Sequence, residues 1–423
     1  MQDHSRYCQV VRYSPDGGLW ASAGFDGNVF LYDGKDSEYV AKLEDGKAAH
    51  AGGIYGLSWS RDGKQMITAS GDKSVKIWDM ETRARTSQVV LGSDVLDQQL
   101  GCVWAQNHII SVSLSGKINY IDPRAGENPV KIIDGHNKPI TAFTPGEDDK
   151  TAYTGSSDGR VVQWNTEDGL GKEITGKGAA NQINGLLWTK DGLNVVGIDD
   201  TLRKAAGQGD CKAYNDTQLK LKGQPKDVKA LNGRVLIATQ NALLVLKNDQ
   251  IVSETTLNYE TSCLGVSEKN DTVIVGEGGS GQTLHVFKLS GDTPEEIKEI
   301  KLSGTPTSVE FSPAEDHVVS TDSNRKVTLF SVPNYEKPHN KEWGFHTAKV
   351  TCAAWSPDSK FVATGGLDCS VIIWSVEAPA KHHILLSAHT QSQITKISWI
   401  DGASVLTTGQ DGNIKIWNVT WKP

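Results

Sequence analysis

Five times along this chain a histidine is followed at constant distances by a hydroxyl side chain, an aspartate and an aromatic ring. The sets are His4/Ser22/Asp26/Tyr32, His50/Thr68/Asp72/Trp78, His136/Thr154/Asp158/Trp164, His346/Thr364/Asp368/Trp374 and His389/Thr407/Asp411/Trp417, and each is spaced +18, +22 and +28. Offsets kept through otherwise different filler mark one supersecondary unit copied several times. The aspartate stands in a tight turn beside Gly, Lys or Cys, as in Ser157-Asp158-Gly159 and Gln410-Asp411-Gly412. An aspartate there accepts turn amides and orients the histidine, which meets the hydroxyl and the ring donor in a relay across three strands. Each such bond is worth about 1 kcal/mol net, and a half-satisfied buried relay costs more than it gives, so the set persists whole or decays together. These twenty residues are therefore read as scaffold.

A unit of about 40 to 45 residues ending in Trp-Asp or Trp-Asn is a four-stranded antiparallel blade of a WD-type β-propeller, which makes the chain all-β. Five weaker units share the rhythm of turn and alternating strand. They begin near Leu100, Asn184, Val228, Ser262 and Thr307, and ten units result. Propellers usually close with four to eight blades, so ten exceed one ring. Cutting at His136 leaves seven units behind it. The expected organisation is three C-terminal blades of a first, incomplete propeller over 1–134 and one complete seven-bladed ring over 135–423. The stretch Val130–Ile133 closes the third unit and cannot also close the tenth. The strand Ile414–Trp417 is therefore expected to lack an outer partner, an edge that natural sheets cover. Sequence ahead of Met1 would supply it, or Thr420-Trp421 and the N-terminal segment would improvise.

Composition excludes several functions. The 423 residues are 37% hydrophobic and 22% charged with a net charge of −8, and no Lys/Arg run tracks a phosphate backbone, so nucleic acid is not an expected partner. Six dispersed cysteines without a Cys-x-x-Cys argue against zinc and against a disulfide framework, and for a reducing compartment. Met1 to Gln9 carries no apolar leader core and no stretch approaches a membrane span, so a cytoplasmic protein without membrane association is expected.

No residue pattern asks for catalysis. The turn aspartates lie one repeat apart and form no carboxylate pair, no clustered His/Glu spacing suggests a metal cage, and Gly276–Gly281 has no helix behind it to cradle phosphate. An enzyme, a cofactor and a small-molecule substrate are not expected. The acidic runs Glu44-Asp45 and Glu147-Asp148-Asp149 read as solvated loops. Two aromatics stand out. Phe25 precedes the turn aspartate where the other sets hold Gly71, Ser157, Leu367 and Gln410, and Tyr7 lies three residues after His4 on the same rim. Large aromatics in exposed loops anchor protein interfaces, while the plainer reading of Phe25 is packing against the missing neighbouring blade.

The departures from a generic repeat carry a resemblance. Leu96-Asp-Gln-Gln-Leu-Gly-Cys-Val-Trp104, Ile110–Tyr120, Phe345-His-Thr-Ala-Lys-Val350 leading to Ala354-Trp-Ser-Pro-Asp358, and the closing Asn413–Val419 together resemble the actin-interacting protein 1 (WD-repeat protein 1) family over essentially the whole length. The resemblance implies two seven-bladed propellers, so this chain reads as N-terminally incomplete, with Met1 an internal methionine. It implies binding of actin filaments decorated with ADF/cofilin, promotion of their disassembly, and a place in the cytoplasm on the actin cytoskeleton. It also makes Tyr7, with Arg6 beside it, an expected actin or cofilin contact, because that family carries an aromatic in a similar His-Ser-Arg segment. The alternative is a generic WD-repeat scaffold or adaptor for protein complexes, usually accompanied by an appended helical segment that is not visible here.

Overall fold

The computed structural model describes residues 3–105, 108–124, 126–147, 150–206, 213–339, 341 and 343–420. Among the described residues it contains ten antiparallel sheets, eight of four strands and two of three. The chain divides into two compact units, Met1–Gly135 and His136–Pro423. The first holds three sheets and the second seven.

In the second sheet the two middle strands are the buried ones. Gln65–Ser70 and Ser74–Asp79 are buried at nearly every position, whereas the outer strand Arg85–Val90 is mostly exposed. A strand covered by sheet neighbours on both faces reads as a continuous apolar run and loses the alternation of a half-exposed one. Ser-x-Asp turns close many of the inner hairpins. Ser14, Ser60 and Ser356 donate their hydroxyls to Asp16, Asp62 and Asp358 at 2.6, 2.7 and 2.6 Å, the local side-chain bonding that favours these residues in turns.

Neighbouring sheets are locked by a recurring contact. The Trp59, Trp355 and Trp399 indoles, at the ends of innermost strands, donate to the carbonyls of Arg12, Glu310 and Ala354 one repeat earlier, at 3.1, 2.9 and 3.2 Å. In the second unit the innermost strands lie side by side in chain order, and the last, Ile394–Trp399, also lies against the first, Ile140–Pro145. A cavity of about 550 Å³ is lined by all seven of these strands. Its charged lining groups include Lys229 and Glu310, ion-paired at 2.6 Å, together with Asp227 and Lys396.

Val130 and the strand Lys131–Ile133 pair within the third sheet of the first unit. The tenth sheet has three strands among the described residues, Ile394–Trp399, Ser404–Gly409 and Ile414–Asn418, and Trp421 lies outside them. The consequence is visible in burial: Ile416 is 47% exposed, while Ile373, its counterpart nine residues after the relay hydroxyl of the preceding sheet, is 0% exposed.

Candidate interaction surface

The repeated quartets meet in space. His50 Nδ1 lies 2.9 Å from Asp72 Oδ2, its Nε2 2.7 Å from Thr68 Oγ1, and Trp78 Nε1 donates to the same hydroxyl at 2.9 Å. The sets His346/Thr364/Asp368/Trp374 and His389/Thr407/Asp411/Trp417 repeat this chain of contacts at 2.8 to 3.0 Å. Polarity follows from the donors. The indole can only donate, so the threonine oxygen accepts it and passes its own proton to Nε2, leaving Nδ1–H for the carboxylate. In the set at His136 the relay runs from Trp164 through Thr154 to His136 at 2.6 and 2.7 Å, and Asp158 takes the Ser156 hydroxyl at 2.5 Å.

The first set differs at its ring. His4 contacts Asp26 at 3.0 Å and Ser22 at 2.9 Å, but Tyr32 donates its phenol proton to Asp3 at 2.8 Å and stacks on Trp20. A phenol has one proton, so it cannot also donate to Ser22 as an indole would. Burial together with the Asp3 bond pushes the Tyr32 hydroxyl up to about 12.

Burial lowers the His50 and His389 imidazoles below their ordinary 6.5 despite their aspartate partners. For Asp26, Asp72, Asp368 and Asp411 burial opposes ionisation, yet the histidine and turn-amide bonds outweigh it and hold each carboxyl below 3.8. A value lower in the folded than in the unfolded chain gives stability that is complete above the unfolded value and drains away as pH falls toward the folded one. Denaturation midpoints should therefore fall first as pH drops through about 6.5, from His50 and His389, and again below about 3.8, from the aspartates. A profile flat between about pH 7 and pH 5 would contradict the buried neutral imidazoles.

One relay was not legible as a repeat. In the third sheet Gln99 accepts the Ser111 hydroxyl at 2.8 Å and donates to Ser113 at 2.8 Å, while Asn119 donates to Ser113 at 3.0 Å, all fully buried. Gln99 belongs to the Asp-Gln-Gln-Leu-Gly segment that sets this chain apart from generic repeats, which was the available signal. Gln99→Ala should cost about 2–4 kcal/mol in denaturant titrations by orphaning these groups. A change under about 0.5 kcal/mol would remove the network from the account.

The quartets also position a rim. Asp26 accepts the Ser5 amide at 2.9 Å, and the Phe25 amide donates to the Tyr7 carbonyl at 2.9 Å, so the loop carrying Arg6 and Tyr7 is tied to the turn at two points. The same backbone bond recurs from Gly71 to Gly53, Ser157 to Pro139 and Leu367 to Lys349. The backbone is constant while the side chains change, so the rim can vary its surface without disturbing the scaffold. Tyr7 is 84% exposed and Arg6 is exposed. Phe25 is half-buried: its ring meets Tyr55 edge-on at 5.3 Å and closes over Gly53, both belonging to the next sheet. Tyr7 is thus a free aromatic and Phe25 an inter-sheet contact with one open side.

Of the acidic runs, Asp45 pairs with Lys76 at 2.9 Å and Arg85 at 2.6 Å, and Asp148 and Asp149 lie outside the described residues. Five described cysteines are unpaired, with Cys211 outside the described residues. Burial pushes the Cys102 and Cys263 thiols up to about 12, far from nucleophilic use. Strand pairing does assemble one His/carboxylate group that the sequence spacing hid: His285 faces Glu299 across the ladder, contacts Glu296 at 2.6 Å and stacks on Tyr259. No helix among the described residues is long and apolar enough to cross a membrane.

The WD domain, G-beta repeat family matches residues 1–33, 41–79, 127–165, 339–375 and 381–418, which contain the five quartets. The chain is 45% identical over 420 residues to actin-interacting protein 1 of Drosophila melanogaster, covering 99% of this chain and 68% of that protein. It is 36% identical to actin-interacting protein 1 of Caenorhabditis elegans, over 99% of this chain and 69% of that one. With WD repeat-containing protein 1 of Gallus gallus it shares 35% identity, over 100% and 69% of the two chains. The WD40 β-propeller domain of Doa1 superposes with a TM-score of 0.55 at 16% identity, over 67% of this chain and 94% of that domain, a likeness of fold.

Proposed function

Because the chain belongs to the family of actin-interacting protein 1 and WD repeat-containing protein 1, we propose that it is an actin-binding protein that cooperates with ADF/cofilin to promote filament disassembly. The observation that carries this is 45% identity along nearly the whole chain to a protein named for its actin interaction. An exposed Tyr7, held on a rigid rim, supports contact with a protein surface. Arg6 and Tyr7 supply that contact and Phe25 adds its open edge. The quartets serve as scaffold, no side chain is assigned a catalytic role, and the site of action is the cytoplasmic actin cytoskeleton. The organisation belonging to this reading is three C-terminal blades of a first propeller over 1–134 and a complete seven-bladed propeller over 135–423.

Co-sedimentation with filaments, with and without cofilin, tests it. Cofilin-dependent pelleting together with loss of filament mass is the expected result. Pelleting that is absent, or indifferent to cofilin, would remove the proposal and favour a general scaffold.

A further inference from the structure

In the seventh sheet the outer strand Thr293–Lys301 pairs with Thr283–Ser290, and the ladder between them shifts register between Val286 and Phe287. His285 stands opposite Glu299, and beyond the shift Phe287 stands opposite Glu296. The two glutamates are three residues apart, so a regular strand would send them to opposite faces. The extra residue at the bulge, Ile297, restores the parity, and both carboxylates come to the His285 side. His285 is 7% exposed, and its Nδ1 lies 2.6 Å from Glu296 Oε1. One ring nitrogen and one oxygen of each glutamate lie within 4.8 Å of one another.

The surroundings are negative and under-bonded. Tyr259 stacks on the imidazole at 4.0 Å, and neither its buried hydroxyl nor His285 Nε2 has a hydrogen-bond partner. Burial, and then the charges of Glu296, Glu277 and Glu299, push that phenol above its ordinary 10, so three carboxylates bear on one small volume. Among the described residues a single ammonium lies within ion-pair distance of these glutamates: Lys301 stands 3.6 Å from Glu299 and donates to Thr283 at 2.8 Å. Its side chain is 73% exposed, which makes this a surface pair that is readily given up. Lys298 is committed elsewhere, donating to Asn334 O at 2.6 Å.

An imidazole nitrogen with two carboxylates is the donor set of a divalent transition ion, since imidazole favours such metals over Mg²⁺ and Ca²⁺ and the carboxylates supply the balancing charge. Donors around one tetrahedral zinc stand about 3.3 Å apart. Both glutamates are exposed and long, so they can close to that spacing while the stacked, buried ring stays fixed.

We propose that His285, Glu296 and Glu299 form a divalent metal site of the Zn²⁺ type on the outer edge of the seventh sheet. His285 Nδ1 exchanges its hydrogen bond with Glu296 for the ion and the ring carries its proton on Nε2, while each carboxylate gives one oxygen. Three protein donors leave a position for water, the kind of partner that the Tyr259 hydroxyl lacks. The ion ties the two outermost strands of the sheet together and keeps one exchangeable ligand.

The test titrates the full chain, stripped of metal and kept reduced, with Zn²⁺ by calorimetry. One saturable site is expected. It should weaken at least about tenfold in the Glu296→Gln/Glu299→Gln variant, which keeps an acceptor oxygen for His285 and removes both charges. It should be unchanged in His383→Gln, an exposed histidine of another sheet. Without metal the double variant should melt with the parent, because both side chains are exposed, and saturating Zn²⁺ should raise the melting temperature of the parent alone. An excess of Mg²⁺ of about a hundredfold should not displace the ion, and Co²⁺ in its place should give visible bands without thiolate charge transfer. No saturable site, equal affinity in the double variant, displacement by Mg²⁺ or a thiolate band overturns the proposal.

Discussion

Thr364→Val is expected to destabilise the folded chain by roughly 2–5 kcal/mol, the largest single loss foreseen here. The hydroxyl it removes accepts Trp374 Nε1–H at 2.8 Å and meets His346 Nε2 at 2.9 Å, and Thr364 and Trp374 are both 0% exposed. Valine keeps nearly the same volume, so no cavity opens. The cost is that of leaving an indole N–H and an imidazole nitrogen dry and unbonded, about 1–3 kcal/mol each. Thr364→Ser should recover most of the loss, because the oxygen returns. Urea denaturation of both variants checks this, and a Val variant within about 0.5 kcal/mol of the parent would show that the relay contributes little.

Tyr7→Ala should act in the opposite sense. The ring is 84% exposed and only its backbone carbonyl serves the fold, through the Phe25 amide, so truncation should leave the melting temperature unchanged. If the rim is the filament contact, the same change should weaken pelleting with cofilin-bearing filaments about 10- to 100-fold, the range of an aromatic hot spot. Phe25→Ala should move both quantities modestly, since that ring packs on Tyr55. Loss of stability in Tyr7→Ala without loss of pelleting would reverse the assignment.

The scaffold was legible because its chemistry fixes distances along the chain. A histidine that must reach a hydroxyl one strand away and a turn aspartate one hairpin away holds those positions at +18 and +22, whatever lies between. Groups assembled by register or by loop path left no such trace. Gln99, Ser111, Ser113 and Asn119 form their network once, so no second copy exposes the spacing. His285 reaches Glu299 only through a cross-strand pairing. Tyr32 shows how one substitution redirects a relay, since a phenol in place of an indole sends its proton to Asp3. The rim was half legible. The pattern located Tyr7 and Phe25 together, but which of them packs and which stays free depended on the next sheet, where Gly53 leaves room for the Phe25 ring.

Hydrogen exchange of the chain, free and in the presence of cofilin-bearing filaments, addresses the whole account in one experiment. The amides of Ser5 and Phe25, bonded to Asp26 and to the Tyr7 carbonyl, should already exchange slowly in the free protein. Filaments should add protection to the segment from His4 to Tyr13 while leaving the buried strands around Thr364 and Thr407 unchanged. Fast exchange at Ser5 and Phe25 in the free chain, or protection that appears only away from this rim, would contradict a rigid quartet scaffold presenting Tyr7 to a partner.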